Sequence, residues 1–276
     1  RAVQALARLR DEMRSQTGAM LHRWHSGHRN NVFQAKTMPF SNERTLVSCA
    51  ADGQVRVSEV KDDGEVETRG LVQHRGRAHK LAIDHTSPHL VLSTGEDGYV
   101  HQIDTRMGQG ATELVRVHKA GKLDAPSWNR VVGQNSIALN PANPNYFCTG
   151  GDDPICRIWD RRRLPCASHD ADNFGFAVGN LAPTHLRRGA TSGVSITCAV
   201  YSHDGREILA SYNDELIYLL DASPAGAAAV GSRYLTTSNL APQETFFVSR
   251  ETKITSRETK LGHATTCTAN HLGLPS

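Results

Sequence analysis

The chain contains 276 residues with a net formal charge of +3, and 38% of its residues are hydrophobic. A chain of this length can bury a sizeable core and has room for about six repeats of ~45 residues. No apolar run approaches the ~18 residues of a membrane helix. The six cysteines form no C-x-x-C pair, so the sequence argues against a membrane-spanning or disulfide-stapled protein and favours a reducing, intracellular compartment.

The positive charge is concentrated at the start of the chain. Residues 1–29 contain six arginines against two acids, whereas a nucleic-acid-binding domain would carry its charge on a folded face. We therefore predict no direct contact with nucleic acid. Four apolar residues here recur at roughly helical spacing: Val3, Leu6, Leu9 and Met13. Residues 1–18 are predicted to be a basic leader, helical or disordered, which is either an amphipathic targeting helix or a solvated insertion or linker.

An acidic residue is followed seven positions later by another at four places in the chain. The pairs are Asp52 with Glu59, Asp97 with Asp104, Asp153 with Asp160, and Asp214 with Asp221. Apolar residues alternate between the acids, as in a strand with one buried face. The residue two positions before the second acid is apolar in three units and polar in one: Val57, Ile158 and Leu219, and then Gln102. Such a repeated register predicts one β-unit used four times.

Two further short apolar runs precede each unit, separated by turn formers such as Ser87-Pro88. The third unit ends on Trp159-Asp160, and with this dipeptide the pattern resembles a WD-repeat β-propeller blade. The resemblance predicts an all-β fold with four recognisable blades of an expected seven, in a ring that is incomplete or imperfectly closed. The blades are placed at about 27–72, 78–118, 135–165 and 194–221.

The predicted propeller spans residues 19–221, with loop insertions at 107–134 and 163–194. Such loops are either partner-binding rims or disordered segments. Residues 222–276 are predicted to be a low-complexity or degenerate tail. Since the chain starts at Arg1 and residues 20–24 look like the outer strand of an earlier blade, we expect a piece of a larger propeller.

The first acid of each unit is predicted to be structural and to accept backbone N–H groups: Asp52, Asp97, Asp153 and Asp214. In regular WD blades this acid joins a buried network with a Gly-His histidine, a Ser or Thr, and the Trp. The first blade offers His28 and Ser48, but Ser58 stands in the Trp position. The third blade has Trp159 without a Gly-His. No blade shows the complete set, so we expect packing to contribute more than the polar network.

The sequence offers little sign of catalysis or metal binding. Two contiguous Ser-His-Asp strings, 168–170 and 202–204, would point adjacent side chains in alternating directions, which does not suit a triad. Two His-containing groups match no zinc spacing: His22, His25 and His28, and Cys166, His169, Asp170 and Asp172. We predict no catalytic residue, no metal, no cofactor and no small-molecule substrate.

Two arginines follow the second acid of neighbouring units at the same distance, in Ile103-Asp104-Thr105-Arg106 and Trp159-Asp160-Arg161-Arg162. The equivalent positions in the flanking units are Lys61 and Ser223. Arg106 and Arg162 are predicted to be exposed on one rim, where a planar guanidinium can bind a partner's carboxylate or carbonyl. Equally, each is explained as a solvated strand end with a weak local Asp–Arg pair.

The two boxes resemble the Asp-x-Arg motif of WD-repeat substrate receptors for cullin-4 RING ubiquitin ligases. Longer stretches are similar to the eighth type of cullin-4-associated factor and its plant relatives: 27–36, 52–57, 79–82, 201–205 and 211–214. The resemblance covers about residues 20–221. The sequence departs from the family pattern in three respects. Ile103 replaces an aromatic residue, the first blades are absent, and the tail after Asp221 does not follow the family.

The resemblance implies a non-catalytic scaffold of the nucleus and cytoplasm that docks on the damaged-DNA-binding adaptor protein of the ligase and holds a protein substrate on another surface. It also implies that Arg106 and Arg162 contact the adaptor, with Asp104 and Asp160 orienting them. The alternative is a general WD-repeat scaffold in a chromatin or other multiprotein complex without ligase association.

Overall fold

The computed structural model describes residues 11–14, 20–108, 111–119, 131–164, 177–188, 193–222 and 233–234. This part of the chain is almost entirely β-structure, in four antiparallel sheets of four strands and one sheet of two. It belongs to a compact unit of residues 1–237, and residues 238–276, the second unit, lie outside the described ranges. Within those ranges, no helix has the length and apolar character needed to cross a bilayer.

The two-stranded sheet contains β1 (Asp11–Arg14) and β2 (Met20–Trp24), which pair antiparallel. The predicted strand at residues 20–24 is therefore present, but the helical alternative for the leader does not hold over Asp11–Arg14. A short helix is marginal by itself, whereas pairing with β2 gives the backbone groups of Asp11–Arg14 hydrogen-bond partners. Residues 1–10 and 15–18 of the predicted leader lie outside the described part.

Each four-stranded sheet is an antiparallel meander that forms one blade. The first blade contains β3 (Val32–Thr37), β4 (Thr45–Ala50), β5 (Gln54–Val60) and β6 (Val66–Gln73). The second contains β7 (Ala78–Ile83), β8 (Leu90–Gly95), β9 (Tyr99–Asp104) and β10 (Ala111–Arg116). The third contains β11 (Gln134–Leu139), β12 (Tyr146–Gly151), β13 (Cys156–Asp160) and β14 (Gly179–Leu181). The fourth contains β15 (Ile196–Tyr201), β16 (Glu207–Tyr212), β17 (Ile217–Asp221) and β18 (Arg233–Tyr234). The predicted all-β fold with WD-type blades is confirmed.

Two outer strands lie where loops or tail were predicted. β14 falls inside the expected insertion 163–194, with Leu181 opposite Cys156, and α1 (Thr184–Arg188) follows it. β18 falls inside the expected tail 222–276 and pairs with β17. Strands of two or three residues are too short to show an alternating pattern, so only pairing with the neighbouring strand identifies them.

The hydrophobic core lies between successive blades, in three clusters. Val57, Leu81 and Ile103 join the first blade to the second. Leu92, Phe147 and Trp159 occupy the next cluster. Ile158, Ile208 and Tyr218 are among the residues between the third and fourth blades. Because the second and third blades each pack against a neighbouring blade on both faces of the sheet, the ends of their strands are held in fixed positions on the rim.

Candidate protein-interaction face

The two arginine boxes lie on the rim where the third strand of each blade ends, together with the turns that join the first and second strands. In the second blade, the Thr105 backbone N–H donates to the carbonyl of His89, at 2.9 Å. In the third, the Arg161 N–H donates to the carbonyl of Asn145, at 2.8 Å. We call this surface, with Asp104, Arg106, Asp160 and Arg162, the box rim.

Each box forms the same three hydrogen bonds. The Arg106 backbone N–H and Nε donate to Asp104 Oδ1 at 2.9 and 3.1 Å, and Nη2 donates to Oδ2 at 2.7 Å. For Arg162 and Asp160 the three corresponding distances are 3.0, 2.9 and 2.8 Å. The backbone bond is the capping arrangement of a tight turn, and the two side-chain bonds hold the guanidinium flat against the carboxylate. The repeated sequence register thus gives a repeated, oriented arginine.

Both arginines project outward while their acids are more sheltered. The side chains of Arg106 and Arg162 are 65% and 57% exposed, against 24% and 4% for Asp104 and Asp160. The hydrogen bond from Arg106 lowers the pKa of Asp104 to about 2, and that from Arg162 lowers the pKa of Asp160. In the described part of the chain, Nη1 of neither arginine has a hydrogen-bond partner. Each guanidinium therefore presents donors to a partner in a fixed orientation.

An aromatic side chain and a recess adjoin Arg162. Its Cζ lies 5.6 Å from the centre of the Tyr146 ring, and Nη2 lies 3.3 Å from the Tyr146 hydroxyl. Tyr146 also lines a recess of about 510 Å³ between the third and fourth blades, with Ile158, Val178 and Arg206. A partner at the box rim therefore meets a cation and an apolar depression side by side.

Two arginines that the sequence reasoning missed hold the box rim in place. Arg69 of β6 donates from Nη1 to the Met107 carbonyl at 3.1 Å and from Nη2 to the Thr105 carbonyl, so it holds the turn that carries Arg106. Arg161 donates from Nη1 to Asp84 Oδ2 at 3.0 Å and from Nη2 to Gln102 Oε1 at 2.7 Å.

The Arg161 contacts explain why Gln102 interrupts an otherwise apolar column. The polar break was visible in the sequence, but its partner lies on another blade. No sequence signal marks Arg69, because its acceptors are backbone carbonyls.

The flanking blades do not repeat the arginine geometry. Lys61 of the first blade pairs with Glu67 on the same blade, with Nζ 3.1 Å from Oε2. Ser223 of the fourth blade lies outside the described residues. Within the described ranges, the oriented arginine pair is therefore a property of the second and third blades.

The first-blade network has the residues that the sequence predicted. His28 Nδ1 lies 3.2 Å from both carboxylate oxygens of Asp52, and Nε2 lies 2.9 Å from Ser48 Oγ. Ser58, in the Trp position, accepts a hydrogen bond from the indole of Trp24 at 3.2 Å. The Trp24 indole of β2 therefore binds the serine that stands in the Trp position, whereas in the third blade Trp159 donates to Thr149.

The second blade has the same network around a histidine that the sequence reasoning overlooked. His74 Nδ1 lies 3.0 Å from Asp97 Oδ1, and Nε2 lies 2.9 Å from Ser93 Oγ. Since Gln73 and not glycine precedes this histidine, the Gly-His search could not find it. The spacing from His28 to Asp52 is nearly equal to that from His74 to Asp97, and this equality would have indicated the role of His74.

In the third and fourth blades, the first acid of the unit has no histidine partner among the described residues. Asp153 binds Arg157 through two hydrogen bonds, of 2.8 and 2.5 Å, in place of a histidine. Trp159 Nε1 donates to Thr149 Oγ1 at 3.0 Å. Asp214 adopts a left-handed backbone with φ of 57° in the turn before β17. Both acids lie in the turn between the second and third strands of their blades, the position that the sequence assigned to them.

One cluster in the described part has the composition of a metal site. His74, Asp97 and His101 bring their ligand atoms within 4.8 Å of one another. Both ring nitrogens of His74 already serve the Asp97 and Ser93 contacts, which leaves that histidine no free ligand atom. We assign the cluster to the blade network. Of the two groups considered from the sequence, Cys166, His169, Asp170 and Asp172 lie outside the described ranges, as does the His22 side chain, and His25 Nδ1 accepts from the Gly27 N–H at 3.1 Å.

The described Ser-His-Asp string is a turn. Ser202 Oγ donates directly to Asp204 Oδ1 at 2.6 Å, and it accepts from the Glu207 N–H at 3.0 Å. His203 does not stand between the hydroxyl and the carboxylate, as a triad requires. The second string, 168–170, lies outside the described residues.

Comparison with known proteins agrees with these blades. The family model described as WD domain, G-beta repeat, matches residues 127–160. The chain is 33% identical over 200 residues to DDB1- and CUL4-associated factor 6 of Homo sapiens, covering 71% of this chain and 22% of that protein. It is 27% identical over 228 residues to Protein ALTERED SEED GERMINATION 2 of Arabidopsis thaliana, covering 74% of this chain and 30% of that one.

A third relative is WD repeat protein iqw1 of Schizosaccharomyces pombe, 26% identical over 220 residues, with 70% of this chain and 26% of that protein covered. The chain thus spans less than a third of each of these relatives. The predicted resemblance to cullin-4-associated factors is confirmed, although the human relative carries the number six and the sequence stretches suggested the eighth type.

Proposed function

We propose that this WD-repeat chain, whose relatives include DDB1- and CUL4-associated factor 6, is a non-catalytic substrate receptor. Its box rim docks on the damaged-DNA-binding adaptor protein of a cullin-4 ubiquitin ligase, and another surface holds the protein to be ubiquitinated. The observation that carries the proposal is the pair of exposed arginines, Arg106 and Arg162, held by Asp104 and Asp160 with the same geometry on neighbouring blades.

Preorganisation supports a docking role for these arginines. An Asp–Arg pair whose guanidinium is exposed adds little to folding stability, so folding stability alone does not account for the same pair on two neighbouring blades. A guanidinium that is already oriented loses less side-chain entropy on binding than a free one. The Nη1 donors of Arg106 and Arg162, which have no hydrogen-bond partner among the described residues, suit carbonyl or carboxylate acceptors on a partner. The recess beside Tyr146 suits an apolar side chain.

A scaffold role also fits the chemistry of the described residues. The Ser202 and Asp204 pair closes a turn, and the histidines His28 and His74 are occupied in the blade networks. The family model that matches describes a repeat and not a catalytic domain.

The proposal is tested by capture of the adaptor on the full chain. Arg106→Ala combined with Arg162→Ala should lose most adaptor binding while the circular dichroism spectrum stays unchanged. The matched control is Arg29→Ala with Arg75→Ala. These arginines are also exposed and on neighbouring blades, but they lie beside Asp52 and Asp97 at the opposite ends of the strands. Undiminished adaptor binding by the Arg106/Arg162 variant, or an equal loss in that variant and in the control, would refute the proposal.

Affinity purification from cells separates the receptor from the alternative scaffold. Recovery of cullin-4 together with the adaptor supports the receptor, whereas a chromatin or other complex without cullin-4 supports the general WD scaffold. We also propose that the protein is found in the nucleus and the cytoplasm, which fluorescence microscopy of the tagged full chain tests.

A further inference from the structure

The innermost strands of the four blades enclose a second cavity, of about 540 Å³. It is lined by β3, β7, β11 and β15 and by the turns that follow β7, β11 and β15, including Asp84, His85 and His203. The turns join first and second strands, so the cavity opens on the same face as the box rim. We call it the inner cavity.

One residue of each innermost strand occupies the same position in this lining. Each follows the irregularity near the start of its strand: Gln34, Lys80, Ser136 and Cys198. Gln34 Oε1 accepts from the Leu81 N–H of the next blade at 2.8 Å. Ser136 Oγ accepts from the Ala199 N–H of its next blade at 2.9 Å. In these two blades the position links neighbouring innermost strands.

Lys80 cannot perform this linking role. An ammonium group has three donors and no acceptor, so it cannot receive an N–H from the third blade. Lys80 instead lines the inner cavity, as does Lys36 of β3. The second blade therefore places a cation where its neighbours place a hydrogen-bond acceptor.

The two lysines lack a counter-charge in the described part of the chain. Neither forms an ion pair there, and Asp84, the acid in the lining, is already held by Arg161 at 3.0 Å and by the Thr86 hydroxyl at 2.6 Å. Burial, followed by repulsion from Lys80, lowers the pKa of Lys36. A sheltered cation without a partner is destabilising, and an anion that enters the cavity relieves that cost.

We propose that the inner cavity binds a small ligand carrying an oxyanion, with Lys36 and Lys80 as its charged contacts. Lysine is a common point-charge ligand for phosphate, and the cavity is within the size range of small-molecule sites, about 300–1,000 Å³. The site is separate from Arg106 and Arg162, so it stands whether or not the box rim binds the adaptor.

Binding is tested by calorimetry of the full chain with pyrophosphate and, separately, with citrate, each against chloride at equal ionic strength. The two anions distinguish a phosphate from a carboxylate ligand. Lys36→Gln with Lys80→Gln should weaken binding at least tenfold. Lys61→Gln removes the same charge from an exposed, paired lysine and should leave binding unchanged. An unchanged affinity in the double variant, or a response no greater than that to chloride, would overturn the proposal.

Cys198 supplies a second measurement that needs no ligand, because it is partly exposed and lines the same cavity. Iodoacetate is an anion and iodoacetamide is neutral, so the ratio of their rates at Cys198, read by peptide mass spectrometry, reports the local positive potential. The ratio should fall several-fold in the lysine double variant and stay constant in Lys61→Gln. A constant ratio in both refutes the cationic site. Should the double variant fail to fold, Lys80→Gln alone gives the same comparison.

Discussion

Arg161 of the third blade places its Nη2 2.7 Å from Oε1 of Gln102 in the second blade. The same guanidinium reaches Asp84, also in the second blade, and the Pro144 carbonyl of its own blade. Gln102 thus belongs to a polar link between two blades, and its partner Arg161 directly precedes Arg162 in the chain. The residue that breaks the apolar column is therefore one of the acceptors that hold Arg161, the residue next to Arg162 in the third-blade box.

Replacing Gln102 with leucine should therefore destabilise the protein, although it restores the apolar column. The Arg161 Nη2 group loses its acceptor in a half-buried site, at a cost of about 1–2 kcal/mol in the free energy of unfolding. Urea denaturation of both proteins measures the difference. Gln102→Glu keeps an acceptor oxygen and serves as the control. A more stable Gln102→Leu variant would contradict the importance of the link.

Loss of the overlooked histidine should weaken the second blade. His74→Ala leaves Asp97 and Ser93 without their shared partner in a buried site, and we expect a loss of about 2–3 kcal/mol in the free energy of unfolding. The control is His85→Ala in an exposed turn of the same blade, which should change stability by less than about 0.5 kcal/mol. Equal stabilities of the two variants in urea would show that the His74 network contributes nothing.

Stability should depend on pH through His101. Burial, and then the neighbouring His74, lowers the pKa of His101 from 6.5 to about 4. Between these values the unfolded chain binds a proton more readily than the folded one, so stability falls as the pH drops from 6.5 towards 4. A shift of this size corresponds to a loss on the order of 3 kcal/mol.

The variant that checks this dependence is His101→Phe, which cannot titrate. It should show a shallower fall of the unfolding free energy between pH 6.5 and 4, measured by urea denaturation at several pH values. The fall should not vanish, because burial also lowers the pKa of His28. Parallel curves for the two proteins would rule out His101 as a source of the pH dependence.

The box-rim arginines should matter little for folding. In Arg106→Ala and Arg162→Ala an exposed guanidinium is removed, and the acid keeps the backbone N–H of the substituted residue as a donor, so the free energy of unfolding should change by less than about 1 kcal/mol. Thermal and urea denaturation of both single variants measures this. A larger loss would mean that reduced adaptor capture reflects unfolding and not a missing contact.

Much of the fold was accessible from the sequence because a β-blade repeats its buried positions at a period of two. The strands that end at Asp104 and Asp160, and the turns that begin them, follow from that alternation. The outer strands β14 and β18 were missed, because a strand of two or three residues is too short to show an alternating pattern. In the candidate site, Arg106 and Arg162 were found from local spacing, whereas Arg69 was not, because its acceptors are backbone carbonyls of another blade.

The sequence by itself determined the blade register and the position of the two arginines relative to their acids, because both depend on contacts a few residues apart. Only the tertiary structure decided that Gln102 serves Arg161, that His74 completes a network without a preceding glycine, and that Lys80 faces a cavity beside Lys36. The His74 network joins residues 19 and 23 positions apart within one blade. The Gln102–Arg161 and Lys36–Lys80 relationships join residues of neighbouring blades, so the distances between them are set by the packing of one blade on the next and not by spacing along the chain.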